Sequence, residues 1–308
     1  MTRRAPSLSV AVLLAASLAI VGCRAHEPEG TGGEAPAAVA TPTPPPPAAP
    51  AAPSPVPAPT PTNGTAVPGQ SGPAADLPKD RPLRAAFLVV NGVYNTELAA
   101  PYDVFHHTRF HTQPGLEVFT VSPDGKPITT FEGLKLTPDR SFANAGQIDV
   151  LVVPSARGSM DADLKNQALI DWVRTTGGQA RHVLSLCDGA FVLAKAGLLQ
   201  GIPVTTFPDD YGRLSQMFPD LDLRINVSFV DAGKVITSQG AARSYEAAMH
   251  LVDRLYGQQV AEGIGKGLLV SWPPDPRTMS TWIVEPAAVP PPTPPAATAA
   301  PQGAPGPG

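Results

Sequence analysis

The sequence predicts one α/β domain, in which helices cover both faces of a mostly parallel sheet to give three layers. The first observation is composition. Of 39 prolines, 18 lie in residues 1–82 and 12 in 273–308, whereas 17 of the 18 aromatic residues lie in 83–272. Because buried bulky side chains must offset the entropy of ordering a chain, the foldable part is 83–272, roughly 190 residues. The second observation is that apolar, strand-like runs alternate there with helix-like segments.

The predicted elements follow this alternation along the chain. Strands are predicted at 85–90, 116–121, 149–153 and 181–186, with short runs around Val204, Phe229 and Val235. Helices are predicted at 97–110, around a stripe of Leu164, Ala168, Trp172 and Val173, at 190–199, and on a stripe from Ala241 to Leu255. The segment 126–138, with Gly133 between two short runs, resembles a hairpin. Continuous apolar strands are typical of a parallel sheet covered on both faces, which binds ligands at the carboxyl ends of its strands.

Composition also excludes several classes of protein. The formal net charge is -4 and no run of Lys or Arg is present, so no nucleic-acid partner is expected. The proline-rich stretches lack a glycine at every third position, which excludes collagen. Only one apolar run, near the start of the chain, is long enough to matter for a membrane, which excludes a polytopic membrane protein.

Residues 1–22 are predicted to be a signal peptide. Arg3 and Arg4 precede an apolar run at 8–21, and Gly22 and Cys23 follow it. A basic start, a short apolar stretch and small residues are typical of secretory signals. The cysteine after the small residue resembles a bacterial lipobox, which implies a diacylglyceryl group on Cys23 and a lipid membrane as partner. The alternatives are an ordinary signal peptide and a short membrane anchor.

The flanks of the domain are predicted to lack a fold. Residues 23–82 comprise the lipidated N-terminus and a Pro/Ala-rich linker, in which proline favours an extended, semi-rigid spacer. Residues 273–308 are predicted to be a disordered Pro-rich tail. Arg24 stands where an inner-membrane retention signal has Asp, so the expected product is an exported, membrane-anchored lipoprotein, which in a Gram-negative cell would lie in the outer membrane and face the periplasm.

Cys187 lies where chemistry is expected. It is the one cysteine besides Cys23, so no intramolecular disulfide is expected. It stands between the strand at 181–186 and a helix, and Gly189 permits a tight turn of the nucleophile-elbow type. The open amino end of that helix favours the thiolate and a lowered pKa. The alternative is a buried, inert thiol.

The stretch 185–199, which begins Ser-Leu-Cys-Asp-Gly-Ala-Phe, resembles the nucleophile region of the ThiJ/PfpI family, within the class I glutamine amidotransferase-like superfamily. Three further segments match in order: Glu-Leu-Ala-Ala-Pro-Tyr-Asp-Val-Phe at 97–105, Val-Thr-Thr-Phe-Pro at 204–208 and Thr-Ser-Gln-Gly at 237–240. Together they cover most of the domain. The resemblance implies a flavodoxin-like sandwich, a homodimer, a reactive cysteine and a small-molecule electrophile or ligand. No cofactor is expected.

The resemblance also implies roles for two residues. Cys187 matches the nucleophile, and Glu97 matches an acid that usually faces the thiol, is often protonated and donates a hydrogen bond to it. A carboxyl beside a thiolate must share a proton or raise its own pKa. Such a pair can exchange that proton during addition to an electrophilic carbon. The alternative for Glu97 is an acid in the first helical turn that complements the helix dipole.

The sequence departs from the family pattern at two places. Asp188 stands where peptidase-like and deglycase-like branches often have His, so a Cys-His-acid triad is not supported. Asp188 is expected either to cap the helix or to contact substrate or water, and its charge opposes thiolate formation. The loop at 153–158 lacks the Gly-Gly pair of the family. Ser155 and Ala156, with Gly189, remain candidates to bind an oxyanion through backbone N–H groups.

The histidines are not predicted to bind a metal. His107 and His111 have the i, i+4 spacing of a metal pair and His106 lies beside them, but no Glu or Cys completes a site. Surface or packing roles are expected for them.

Three functions are consistent with these observations. In the first, an enzyme uses Cys187 to attack a small electrophile, as the isocyanide hydratases and glyoxalase-like members of the family do. In the second, the domain is a non-catalytic small-molecule or redox sensor, related to the sensor domains of transcriptional regulators. The residues after Trp272 are too poor in apolar side chains for a helix-turn-helix region. In the third, the chain is a docking lipoprotein.

Overall fold

The computed structural model describes residues 77–78, 80–275 and 281–283. The predicted signal peptide, with Cys23, and most of the predicted linker and tail lie outside the described residues. Within the part of the chain that the structure describes, no helix has both the length and the apolar content needed to span a bilayer.

The described residues form alternating strands and helices. The strands are β1 (Arg84–Leu88), β2 (Glu117–Ser122), β3 (Ile128–Thr129), β4 (Lys135–Leu136), β5 (Arg140–Ser141), β6 (Val150–Val153), β7 (His182–Leu186), β8 (Pro203–Val204), β9 (Asp222–Leu223), β10 (Phe229–Asp231), β11 (Val235–Ser238) and β12 (Thr281–Ile283). The helices are α1 (Asn95–His111), α2 (Ala162–Lys165), α3 (Gln167–Gln179), α4 (Gly189–Lys195), α5 (Tyr211–Met217), α6 (Arg243–Tyr256) and α7 (Gln258–Leu268), with a 3₁₀ turn at Pro208–Asp210.

The central sheet is mostly parallel, as predicted. Its strand order is β12-β10-β11-β7-β6-β1-β2-β5, and within it β10 and β11 form an antiparallel pair. The neighbours of β1 are β2 and β6, so that Ala85 lies between Val118 and Val150. Because both faces of these strands are covered, their sequences are continuously apolar.

Two apolar clusters, one on each face of the sheet, establish the three layers. The first contains Leu169, Leu151 and Phe191 and joins the sheet to α2, α3 and α4. The second contains Phe87 and Leu251 and joins the sheet to α1, α6 and α7. The predicted three-layer, flavodoxin-like architecture is therefore confirmed, and the predicted hairpin is present as the antiparallel pair of β3 and β4.

The buried face predicted for the helix around Trp172 consists of other residues than the observed one. The chain breaks at Asn166, whose side chain accepts a hydrogen bond from the N–H of Leu169 and begins a new helix, α3. Leu164 therefore belongs to the separate helix α2, and the predicted stripe does not continue across the break. Ala168 is exposed, and the buried face of α3 consists of Leu169, Ile170, Val173 and Gly177.

Besides the two-residue strands β5 and β9 and the 3₁₀ turn, three elements were not predicted. Helix α5 is short, and α7 contains three glycines, which weaken helix propensity. Tertiary packing stabilises α7: a Cβ on Gly265 would lie 2.4 Å from the carbonyl oxygen of Val270, so only glycine fits there. The third is β12, which pairs in parallel with β10 within the segment predicted as a tail.

Candidate active site

Cys187 occupies a sharp elbow directly after β7. Its φ is 53°, a left-handed conformation that a residue with a Cβ rarely adopts. Two hydrogen bonds hold it there: its N–H donates to the carbonyl of Ser238 at 3.0 Å, and its carbonyl accepts from Thr206 Oγ1 at 3.0 Å. The side chain is only 7% exposed. Such strain persists only where surrounding contacts impose it, and it is concentrated at functional sites.

Two glycines allow the backbone to close around this elbow. Gly240 has a φ of 80°, and a Cβ there would lie 2.4 Å from the Cβ of Cys187. A Cβ on Gly189 would lie 2.0 Å from the carbonyl oxygen of Val153. Both distances are below any normal contact, so the elbow depends on glycine at both positions.

Glu97 lies in the first turn of α1, and its carboxyl is buried beside the thiol. Oε1 accepts a hydrogen bond from the N–H of Ala241 at 3.1 Å, and the other oxygen, Oε2, is buried without a hydrogen-bond partner among the described residues. Burial raises the pKa of Glu97 to about 7, and the negative charge of Asp188 adds to the effect. Glu97 therefore holds a proton through much of the range below neutrality, as the family resemblance implies.

Asp188 does not cap α4. It occupies the N-cap position, yet its side chain makes no capping hydrogen bond. The carboxyl is buried and turns toward other groups: Oδ2 accepts a hydrogen bond from Ser155 Oγ at 3.4 Å, and the carboxylate charge acts on the Cys187 thiol. Burial, followed by the charge of Asp210, raises the pKa of Asp188 to about 6. The prediction of a helix cap is therefore wrong, because the carboxyl lies beside the sulfur.

The expected lowering of the Cys187 pKa is also wrong. Burial raises the pKa of the thiol, and the negative charges of Asp188 and Glu97 raise it further. The backbone N–H of Asp188 and the hydroxyl of Ser155 act in the opposite direction but are weaker than burial. The resting group is a thiol rather than a standing thiolate.

The predicted oxyanion donors have different roles in the structure. The N–H of Ala156 donates to Ser159 Oγ at 2.8 Å and so is already used. Ser155 contributes its hydroxyl, which lies beside Asp188 and Cys187. The N–H that hydrogen-bonds the sulfur belongs to Asp188. The prediction that Ala156 binds an oxyanion through its N–H is therefore wrong. The polar donors that act on Sγ are Ser155 Oγ and the N–H of Asp188.

Tyr94 and Phe131, which the sequence reasoning missed, form a rim beside the thiol. The N–H of Tyr94 donates to the carbonyl of Ser155 at 3.1 Å, and its ring stacks on Phe131 with centroids 4.4 Å apart. Burial and the charges of Cys187, Asp188 and Glu97 raise the pKa of the Tyr94 hydroxyl. Tyr94 follows β1 at the carboxyl edge of the sheet, and that position was the available signal.

The described residues contain no group of three or more His, Cys, Asp or Glu side chains that could hold a metal ion. His107 Nδ1 lies 3.1 Å from a carboxyl oxygen of Asp103, one turn earlier in α1. His111 packs against Gly263 of α7.

Comparisons with known proteins establish the family of the chain. The DJ-1/PfpI family model matches residues 83–254. An isonitrile hydratase of Pseudomonas putida is 30% identical over 181 residues, covering 58% of this chain and 75% of that protein. Protein DJ-1alpha of Drosophila melanogaster is 28% identical over 182 residues, covering 52% and 82%. The transcriptional regulator GbdR of Pseudomonas aeruginosa is 24% identical over 147 residues, covering 48% of this chain but 39% of the regulator.

Solved structures share the fold. The crystal structure of Drosophila melanogaster DJ-1beta superposes with a TM-score of 0.55 at 22% identity, covering 62% of this chain and all of that one (100%). A ThiJ/PfpI family protein from Pseudomonas syringae gives a TM-score of 0.55 at 23% identity, covering 68% and 84%. Since the family model spans more than half of the chain, from the first strand of the sheet to α6, the chain belongs to the DJ-1/PfpI family.

Proposed function

We propose that this protein is a cysteine-dependent enzyme that adds water to a small electrophile, and that isonitriles are its substrate class. One observation carries the proposal: the Cys187 thiol, on a strained elbow, lies beside two buried carboxyls, Glu97 and Asp188, whose pKa values are raised to about 7 and about 6. Groups that gain and lose protons near neutrality are suited to general acid and base catalysis. The similarity to an isonitrile hydratase supports this choice of substrate.

The reaction balances with the groups present. The sulfur bonds to the terminal carbon of R–N≡C, a carboxylate takes the thiol proton, and a carboxyl delivers a proton to that carbon, giving R–N=CH–S–Cys187. Water then adds across the C=N bond, its oxygen bonding to carbon while nitrogen gains a proton. The C–S bond breaks, the sulfur is reprotonated, and the formamide R–NH–CHO leaves. The sum is one isonitrile and one water to one formamide.

The two carboxyls are needed because the thiol is not ionised at rest. A thiol of raised pKa must lose its proton as the sulfur attacks, so a base has to lie within hydrogen-bonding reach. Glu97 and Asp188 are the candidates for this base, because they are the two buried carboxyls whose charges act on the thiol. The same groups return the proton later, so neither is consumed.

The test uses the full chain with a small alkyl isonitrile, and formamide formation is followed by NMR. The substitution Cys187→Ala is expected to lower the rate by at least about a hundredfold, since it removes the nucleophile. Glu97→Gln, which keeps the shape of the side chain, is expected to lower it by about tenfold or more. Retained turnover in Cys187→Ala sinks the proposal. If the protein consumes glyoxal but not isonitrile, the proposed substrate class is wrong, whereas the proposed role of Cys187 as the nucleophile stands.

A sensor is the second candidate, favoured by the similarity to GbdR. In this function Cys187 binds a ligand or is oxidised to a sulfenic acid without turnover. Treatment with mild peroxide followed by mass spectrometry distinguishes the sensor from the enzyme. Gain of one oxygen at Cys187, in a protein inactive on isonitriles and glyoxal, supports the sensor, and an unmodified thiol counts against it.

We also propose that the protein is a homodimer anchored to the membrane by an acylated Cys23. The support is the lipobox-like segment before Cys23 and the family membership of the domain. Light scattering on the purified protein tests the dimer. A docking lipoprotein is the third candidate: it requires that Cys187→Ala leaves the cellular phenotype intact while deletion of 24–82 abolishes it.

A further inference from the structure

The tip of the hairpin formed by β3 and β4, residues 130–134, exposes two large apolar side chains. Phe131 is 43% exposed and Leu134 is 62% exposed, whereas turns usually carry Gly, Pro, Asn, Asp or Ser. Hydrogen bonds fix the shape of the tip: the N–H of Thr130 donates to the carbonyl of Leu134 at 2.8 Å, and the N–H of Leu134 donates to Thr130 Oγ1 at 2.9 Å. The hairpin tip therefore presents apolar surface on a well-defined turn.

The hairpin tip is attached to the loop between β1 and α1. The N–H of Phe131 donates to the carbonyl of Val93 at 2.9 Å, and Glu132 Oε2 accepts a hydrogen bond from the N–H of Asn95 at 3.0 Å. Between these contacts, the rings of Phe131 and Tyr94 stack with their centroids 4.4 Å apart. Aromatic pairs at such distances attract each other beyond the burial of their area. The rim formed by Tyr94 and Phe131 is therefore held in one place.

The same loop is bonded to the residues that surround the thiol. The N–H of Tyr94 donates to the carbonyl of Ser155 at 3.1 Å, and Ser155 Oγ donates to Asp188 Oδ2 at 3.4 Å. Asp188 directly follows Cys187 in the chain. Burial, and then the charges of Cys187 and Asp188, raise the pKa of the Tyr94 hydroxyl, which agrees with a ring directed toward the thiol. These contacts place the rim at the opening through which an electrophile reaches the sulfur.

The shape of an isonitrile directs its substituent to this opening. Cys187 is only 7% exposed, so little more than the reacting end of a molecule fits beside the sulfur. In R–N≡C the terminal carbon approaches Sγ, and the linear R–N≡C unit directs R away from the buried sulfur. An apolar R that covers the exposed part of Phe131 removes apolar surface from water, and an aromatic R also stacks on the rings. The guanidinium of Arg157 lies 5.1 Å from the centre of the Phe131 ring and disfavours a cationic R.

We propose that Tyr94 and Phe131 determine the substrate specificity of the site by binding an apolar, aromatic substituent of the electrophile that Cys187 attacks. This inference rests on the proposed function, because it names the part of the isonitrile that the rim recognises. The preference for an aromatic substituent is also measurable without turnover.

The first experiment lets equal amounts of benzyl isonitrile and methyl isonitrile compete for the full chain. NMR at low conversion gives the ratio of the two formamides. This ratio equals the ratio of the two kcat/KM values and does not depend on how much of the protein is active. Phe131→Ala is expected to lower the benzyl-to-methyl ratio by about tenfold, because it removes the ring against which the substituent packs.

Three variants make the result specific. Phe110→Ala removes an exposed aromatic ring near the end of α1, remote in the helix from Glu97, and is expected to leave the ratio unchanged. Phe131→Tyr keeps the ring and is expected to keep the wild-type ratio. Phe131→Leu keeps an apolar side chain without the ring and is expected to lower the ratio by about threefold.

A second competition distinguishes failure of this inference from failure of the proposed function. Equal amounts of iodoacetamide and N-benzyliodoacetamide alkylate Cys187 in the full chain, and mass spectrometry compares the two adducts on the tryptic peptide 182–195. The same chain unfolded in urea gives the intrinsic ratio of the reagents. The folded wild-type protein is expected to favour the benzyl reagent by about tenfold over that intrinsic ratio, and Phe131→Ala is expected to abolish this preference.

The proposal is overturned if Phe131→Ala keeps the wild-type ratio of formamides, or if Phe110→Ala lowers that ratio as much as Phe131→Ala does. If the wild-type protein consumes neither isonitrile, the proposed function is contradicted, and the same two outcomes in the alkylation ratio overturn the proposal. Far-UV circular dichroism on each variant verifies the fold. If Phe131→Ala is unfolded, a wild-type ratio in Phe131→Leu overturns the proposal instead.

Discussion

The left-handed backbone of Cys187 is maintained by a neighbour that has no side chain. Gly240 itself has a positive φ, and its α-carbon faces the Cβ and N of Cys187 at distances that leave no room for a methyl group. The elbow and the turn after β11 are thus packed backbone against backbone, and this contact fixes the sulfur between its two carboxyls.

Gly240→Ala is expected to lower the free energy of unfolding by about 3 kcal/mol, from an unfavourable φ and a steric clash together. Gly233→Ala is a matched control, because Gly233 has a similar φ of 83° but nothing within 4 Å of the added Cβ. It is expected to cost about 1 kcal/mol. Urea unfolding of both variants measures the difference, and equal losses contradict the steric role of Gly240.

Glu97 makes stability depend on pH in the sense opposite to an ordinary carboxylate. Its pKa is about 7 in the folded protein and near 4.5 otherwise, so between these values the folded state binds more protons than the unfolded state. The free energy of unfolding therefore falls as pH rises through this window, by about 2 kcal/mol for this group. Glu97→Gln is expected to reduce this fall, measured by urea unfolding at pH 5 and 7.5. An unchanged pH dependence contradicts the raised pKa.

At the scale of elements, strand β10 is tied to helix α6 through one buried carboxylate. Asp231 accepts hydrogen bonds from His250 Nε2 at 2.7 Å, from Arg254 Nη1 at 2.8 Å and from the N–H of Gly233 at 2.8 Å. Burial opposes its charge, but these partners lower the pKa of Asp231. The contact fixes α6 against the edge of the sheet.

Asp231→Asn is expected to destabilise the protein by about 3 kcal/mol, since it leaves the partly buried guanidinium of Arg254 without its counter-charge. The loss is expected at pH 7 and to shrink as pH falls below about 4, because the unfolded chain protonates this carboxyl at a higher pH than the folded protein does. Thermal unfolding at both pH values checks this, and Asp209→Asn on the exposed surface is the control. A loss of equal size at pH 3 and pH 7 argues against an electrostatic cause.

The strands and helices also show which parts of the site could be predicted from the sequence. Apolar runs located β1, β6 and β7 because both faces of these strands are buried, and the carboxyl ends of parallel strands bring Glu97 and Cys187 together. The direction of a side chain after the strand is not encoded in spacing. The turn of Asp188 away from its helix and toward Ser155, 33 positions earlier in the chain, depends on packing between distant segments.

At the scale of the whole molecule, the domain is expected to lie at a membrane surface. We expect the wild-type chain to partition into the detergent phase of Triton X-114 when it is made in a bacterial host that processes lipoproteins, because several acyl chains bind a bilayer stably. Cys23→Ala is expected to move it to the aqueous phase with its Cys187 chemistry unchanged. Cys187→Ala is the control and is expected to remain with the detergent. Aqueous partitioning of the wild-type chain contradicts acylation of Cys23.

The hydrogen bond between Ala241 and Glu97 joins residues that are 144 positions apart, so the surroundings of the thiol exist only once nearly the whole domain has assembled. The burial of the Cys187 thiol therefore reports whether the domain is folded. A thiol reagent too bulky to reach the buried sulfur labels molecules in which the domain has opened and does not label those in which it is closed. The rate at which such a reagent labels Cys187 therefore measures how often the domain opens transiently, and no added probe is needed.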